Sequence, residues 1–269
     1  MRYYRRFTPT QRIAHVFLMV SFLGLALSGM PLLFAGQPWA AVLARLFGGF
    51  EAAGYVHRVC AVVMIALFVG HVVFVLGRAL ANGHVLGALW GPDSMTPQWQ
   101  DAIDLWNHLK WFVGRGPRPR FDRFTYWEKF DYWAVFWGMF IIGGSGLLLW
   151  FPVFFAQILP GWMFNIATLI HGEEALLAVG FIFTIHFFNG HLRPDKFPMD
   201  TVIFTGRISE EELRHERAPE FARMQADGRA TTLQASPPTL ESQAFGWVVG
   251  GTTVLLGIVT VALIIYSVL

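Results

Sequence analysis

Apolar residues along this chain do not alternate with polar ones but collect into long blocks. Five blocks are long enough to cross about 30 Å of hydrocarbon at about 1.5 Å per helical residue: residues 13–34, 55–80, 131–155, 164–190 and 246–269. None shows the two-residue alternation of a barrel strand, whereas a helix satisfies its backbone hydrogen bonds internally in lipid. The expected class is an all-α integral membrane protein. A four-helix bundle is expected over residues 1–200, a cytoplasmic helix and linker over 201–243, and a fifth membrane helix over 244–269.

The links carry their own patterns. "GQPWAAVLARLFGGFEAAG", after the first block, predicts a short interfacial helix. "TPQWQDAIDLWNHLKWFVG" spaces Trp99, Ile103, Trp106 and Trp111 at helical intervals, with acids early and Lys110 late, as in an amphipathic surface helix. "SEEELRHERAPEFARM" opens on Ser209 followed by Glu212, a capping box. "DGRATTLQASPPTLESQ" has the composition of a flexible linker. It leads to a fifth block without His, Asp, Glu, Lys or Arg, expected to be a peripheral anchor or partner-binding helix. "GHLRPDKFPMDTVIFTG" is rich in turn residues and reads as an ordered docking or lid segment. A weak internal echo links "LALSGMPLLF" of the first block to "IGGSGLLLWFP" of the third, and points to a duplicated helical hairpin.

Composition places the chain in a bilayer: it is 55% hydrophobic and only 14% charged. Of the 20 basic residues, only Arg45 and Arg58 lie on the side opposite the rest, a strong positive-inside bias. The amino terminus is therefore expected in the cytoplasm and the chain in a bacterial inner membrane as a multi-pass protein in contact with lipid. This topology accounts for the net charge of +2, and no nucleic-acid partner is expected. The rival reading of "MRYYRRFTPTQR" plus an apolar run is a cleaved signal peptide, disfavoured because the run is long and lacks a clear small-x-small site. The lone Cys60 allows no internal disulfide and no C-x-x-C-H haem attachment, and reads as a small core residue.

Histidines carry the candidate chemistry. Of nine, His15, His57, His71, His171 and His186 fall inside the blocks, where ionisable groups are costly and mark function. His57 and His71 are about 21 Å apart along a helix and about 40° from sharing a face; His171 and His186 are about 22 Å apart and about 60° off in the opposite sense. Each pair has one member near each membrane surface. That arrangement suits two stacked haems held by imidazoles from facing helices, whereas a zinc or di-iron site gathers its ligands at one level. The one Glu-x-x-His, Glu212 to His215, lies in a polar link. His57 and His171 pair at the outer level, and His186 takes either His15 or His71 at the inner one. Gly24, Gly29, Gly138, Gly143, Gly144 and Gly146 allow a flat macrocycle or another helix to approach closely. His84, His108 and His215 read as solvated or interfacial.

"RIAHVFLMVSFLGLALSG", "YVHRVCAVV", "SGLLLWFPVFFAQILP" and "LIHGEEALLAVGFIFTIHFF" resemble the membrane cytochrome b subunits of respiratory formate dehydrogenases (the gamma subunit) and nickel-iron hydrogenases, over roughly residues 12–191. The resemblance implies two b haems, with His57 paired to His171 and His15 to His186. His71 falls outside the pattern, as a packed or hydrogen-bonded residue, an alternative ligand or part of an added cofactor site. The fifth span is an addition. The fifteen-residue step from His171 to His186 is one longer than expected and implies a different haem tilt. "FTYWEKFDYW" does not reproduce the family's quinone border.

The expected activity is electron transfer between a quinone or menaquinone pool and a periplasmic redox subunit, an iron-sulfur protein or a multihaem cytochrome c. Arg12 and Arg58 are candidates to pair with haem propionates. Tyr126, Glu128, Asp131 and His191 are candidates for proton exchange with quinone at the inner level, and Glu173 and Glu174 at the outer. Rival readings are a haem-free, proton-coupled transporter and a membrane anchor subunit.

Overall fold

The computed structural model describes every residue except Asn82 and His84, and every remaining side chain except that of Ala88. The expectation for His84 therefore lies outside the described residues. The chain is mostly helical, and five helices are long and apolar enough to cross a membrane: Pro9–Leu33, Phe50–Ala81, Tyr126–Trp150, Trp162–Leu192 and Leu240–Val268. They are called spans one to five below. The architecture is that of a multi-pass α-helical membrane protein, and exposed side chains such as Val59, Val62 and Val73 supply its lipid-facing surface.

Local chemistry sets the span ends. Span one starts where Thr8 and Gln11 bond reciprocally, Gln11 N donating to the Thr8 hydroxyl (3.3 Å) and Thr8 N to the Gln11 carboxamide (2.9 Å). Span three repeats the device: Glu128 N donates to the Thr125 hydroxyl (3.2 Å) and Thr125 N to the Glu128 carboxylate (2.7 Å). Span three stops earlier than its apolar block because Pro152 forces Phe151 out of helical geometry (φ −118, ψ 53). The remaining apolar residues form a separate turn, Pro152–Phe155.

Two compact units emerge. The first comprises residues 1–12, 72–134 and 201–246. It contains strands that the all-α expectation omits: β1 (Tyr3–Arg5) lies between β2 (Arg207–Ser209) and β3 (Gln234–Ala235), antiparallel to both. The stretch expected to be a free linker supplies β3, because β1 would otherwise leave an open edge. Gly206 turns the chain into β2 at φ +71, and an added Cβ there would meet the Phe7 carbonyl at 2.7 Å. Tyr4 packs on Ile208, Leu213, Phe221 and Met224. The predicted Ser209 cap forms, its hydroxyl accepting from Glu212 N at 3.1 Å.

A buried ion network joins the three segments of this unit. Glu220 receives Arg6 at 2.6 Å and Arg123 at 2.8 Å, and Arg217 binds both oxygens of Glu128 at 2.9 and 3.0 Å. Arg6 also donates to the Arg123 carbonyl, and Arg123 to the Arg6 carbonyl. Burial, then the nearby Arg217 charge, lowers the Arg6 guanidinium to about 10, so it stays charged at neutral pH. Further out, Asp93 accepts from Arg223 and Arg229, each at 2.9 Å.

The second unit comprises residues 13–71, 135–200 and 247–269. Its core is Ala26, Met30, Val179, Phe183 and Phe187. Span five joins this core through Val254, Val261 and Ile264. An added Cβ at Gly257 would lie 2.5 Å from the Phe187 ring, and Trp39 Nε1 donates to Ser267 at 2.8 Å. Span five thus packs on the bundle through one set of residues, while its Leu255, Ile258 and Tyr266 remain exposed.

Removing one partner of a buried ion pair costs about 3–5 kcal/mol. Glu220→Ala is therefore expected to strip amide-exchange protection from Tyr3–Arg5, and an Arg6→Met, Glu220→Met pair to restore part of it. Asp93 gives a pH signature. Burial raises its carboxyl, but the Arg223 hydrogen bond and charge outweigh this and hold it below the usual carboxylate range. Its stabilisation is complete above about pH 4 and is lost as pH falls through the lowered folded value. An acid titration of tertiary circular dichroism in Asp93→Asn is expected to lack that component.

Candidate functional site

His57 on span two and His171 on span four face each other in the second unit, their ring centroids 6.1 Å apart and their planes at 74°. Each ring is held by the neighbouring span in the same way. Ser28 Oγ lies 3.2 Å from His57 Nδ1, and Ser145 Oγ 3.3 Å from His171 Nδ1. At His171 a carbonyl joins in as well: Ile142 O, three residues before the serine, is 3.0 Å from Nδ1. A carbonyl only accepts, so Nδ1 of His171 carries the proton and its Nε2 keeps the lone pair; at His57 the Ser28 hydroxyl, which donates to the Gly24 carbonyl at 2.5 Å, is left to accept from Nδ1.

The residue after each serine is glycine, and each faces a histidine. A Cβ on Gly29 would sit 3.0 Å from His57 Cε1, and one on Gly146 would sit 2.9 Å from His171 Cε1. The echo seen in the sequence is therefore a repeated Ser-Gly seat for an imidazole. Other glycines divide by role. An added Cβ on Gly24 would collide with Cys60 Sγ, so this position serves helix packing, while Gly144 has nothing within 4 Å.

Widened turns accompany the histidines. Span three has a π turn at Met139–Gly143, just before Ser145, and span four has π turns at Ile182–His186 and Phe188–Leu192. A π turn takes one more residue than an α turn. The turn ending at His186 absorbs the extra residue in the step from His171. The step then acts as about fourteen α-helical residues, and the offset falls from about 60° to about 40°.

A second group forms around His15, which lies within electrostatic range of both His186 and His191. His191 packs edge-on against Phe187, at 6.1 Å, and among the described residues its buried Nδ1 has no hydrogen-bond partner. His71 is exposed. Arg12 donates to the Phe204 carbonyl at 2.7 Å. Arg58 donates to the Gly54 carbonyl at 3.1 Å and lies over the Tyr55 ring.

The carboxylate candidates differ in occupancy. Glu128 is saturated by Thr125 and Arg217 and anchors structure. Asp131 is partly buried. Glu174 accepts from Trp137 Nε1 at 3.2 Å, and Glu173 is exposed.

Tyr126 bonds to His108, its hydroxyl 3.0 Å from Nδ1. His108 is half-buried. It stacks on Phe112 at 4.6 Å and is bordered by Trp111, Phe121 and Trp127. The density of aromatic residues from Trp106 to Trp127 was the available signal. His215, by contrast, is exposed.

Among the described residues no three His, Cys, Asp or Glu side chains gather where a metal ion is held by protein alone; the histidines offer paired imidazoles. No protein-family model and no curated protein matches the chain.

The two glycine types separate in a direct test. Gly146→Ala forces the His171 ring aside and is expected to cost about 1–3 kcal/mol. Gly144→Ala meets no neighbour and is expected to gain up to about 1 kcal/mol through helix propensity. Thermal denaturation in detergent measures both.

Proposed function

We propose that this chain is a di-haem b-type cytochrome subunit that moves electrons between the membrane quinone pool and a redox partner on the outer face. The observation that carries the reading is the His57–His171 pair. Two imidazoles that share one metal through nitrogens at about 2 Å have centroids roughly 6 Å apart, which matches the 6.1 Å between these rings. Both turn Nδ1 toward a serine of the neighbouring span, and both sit against glycines that leave no space for a side chain. A haem bound there accepts and releases single electrons.

His57 and His171 would hold one haem, and His15 with His186 the other. The closeness of His15 to His186 and the exposure of His71 favour this pairing over the one with His71. His191, with its unbonded Nδ1 beside this second group, is the favoured residue for exchanging a proton with quinone. Glu128 is set aside for that task, since its oxygens are already occupied. Positive-inside bias puts the amino terminus in the cytoplasm, hence the His57–His171 pair toward the outside and the second group toward the cytoplasm. The resemblance to the formate dehydrogenase and hydrogenase subunits points the same way. A proton-coupled transporter fits less well, because it calls for unwound helices at membrane depth, and spans one, two, four and five run as helix throughout.

Purified protein is expected to show reduced b-type absorption bands and two haems per chain; colourless protein from haem-replete cells would end the reading. His57→Ala and His171→Ala are each expected to lose one haem. His15→Ala is expected to lose the other, and His71→Ala to keep both.

A further inference from the structure

Ser28 and Ser145 occupy equivalent places in the two halves of the bundle, and their hydrogen bonds specify a direction. Each hydroxyl has one proton and two lone pairs. Ser28 gives its proton to the Gly24 carbonyl at 2.5 Å, and Ser145 gives its proton to the Ile141 carbonyl at 2.6 Å. The lone pairs that remain face His57 Nδ1 and His171 Nδ1. Each imidazole Nδ1–H is therefore directed at a serine oxygen of the neighbouring span, and that of His171 is shared with the Ile142 carbonyl. The serine oxygen on one side and a glycine against the ring on the other restrict rotation of each imidazole.

From this we infer that Ser28 and Ser145 are matched positioning residues that set the orientation and donor strength of the two imidazoles, and through them the potential of the haem they share. The inference rests on the di-haem reading above. An acceptor on Nδ1–H increases electron donation through Nε2 and stabilises the oxidised metal. Loss of the serine oxygen weakens that donation, although at His171 the Ile142 carbonyl retains the tautomer. The same serines on ordinary packing duty would affect stability alone.

The experiment is a redox titration followed optically, with electron paramagnetic resonance of the oxidised protein, on the full-length chain in detergent. Ser28→Ala and Ser145→Ala are each expected to keep both haems and to raise the ferrous-to-ferric ratio of one haem about threefold at fixed potential. At 59 mV per tenfold for a one-electron couple, that is roughly 28 mV. The low-spin signal of the same haem is expected to shift, and the other haem to stay unchanged. Ser145→Thr, which keeps the hydroxyl, is expected to restore the Ser145 values. Ser267→Ala, in a serine bonded to Trp39 instead, is expected to change neither. Two haems with unaltered potentials and signals in both alanine variants overturn the inference and leave the cytochrome standing. Wild-type protein without haem overturns the cytochrome itself, and the inference with it.

Discussion

An imidazole inside a membrane helix has to place two ring nitrogens, and the structure handles this in the same way at His57 and His171. One nitrogen is turned to a serine hydroxyl of the neighbouring helix, joined at His171 by a carbonyl. Lipid supplies neither donor nor acceptor, so a ring without such a seat would turn toward whatever polar group it met. The close approach of spans one to two and three to four at Gly29 and Gly146 follows from this seat, since the ring occupies the space a side chain would take.

The two halves are related in sequence as well as in space. Thr8 and Gln11 cap span one as Thr125 and Glu128 cap span three, and Ser28-Gly29 recurs as Ser145-Gly146. The halves differ elsewhere: Glu128 also holds the Arg217 fork, and spans three and four contain π turns. Such turns rotate everything beyond them and are frequent at functional sites. Here one sets the direction of His186, and with it the second histidine group.

The first unit depends on a different interaction. Arg6, Arg123 and Arg217 meet Glu220 and Glu128 with little water, binding segments far apart in the chain. A buried pair of this kind adds less to net stability than to specificity, because desolvation offsets much of the attraction. Its effect is to require that β1, the link before span three and the segment before span five assemble together.

The sequence by itself determined the five spans, the short helices at Pro38–Leu46 and Trp99–Phe112, and the Ser209 cap. These rest on contacts within a few residues and on apolar length, which are written locally. The Ser-Gly echo was visible too, but its meaning was not, since a serine in a helix is ordinary until a ring is set against it. Tertiary structure alone decided that Gln234–Ala235 closes a sheet with Tyr3–Tyr4, that span five packs on Phe183 and Phe187, that His108 lies among aromatic rings, and that a π turn absorbs the extra residue before His186. Each of these joins residues distant in the chain or changes helical register through packing, and neither effect leaves a periodic trace in the order of amino acids.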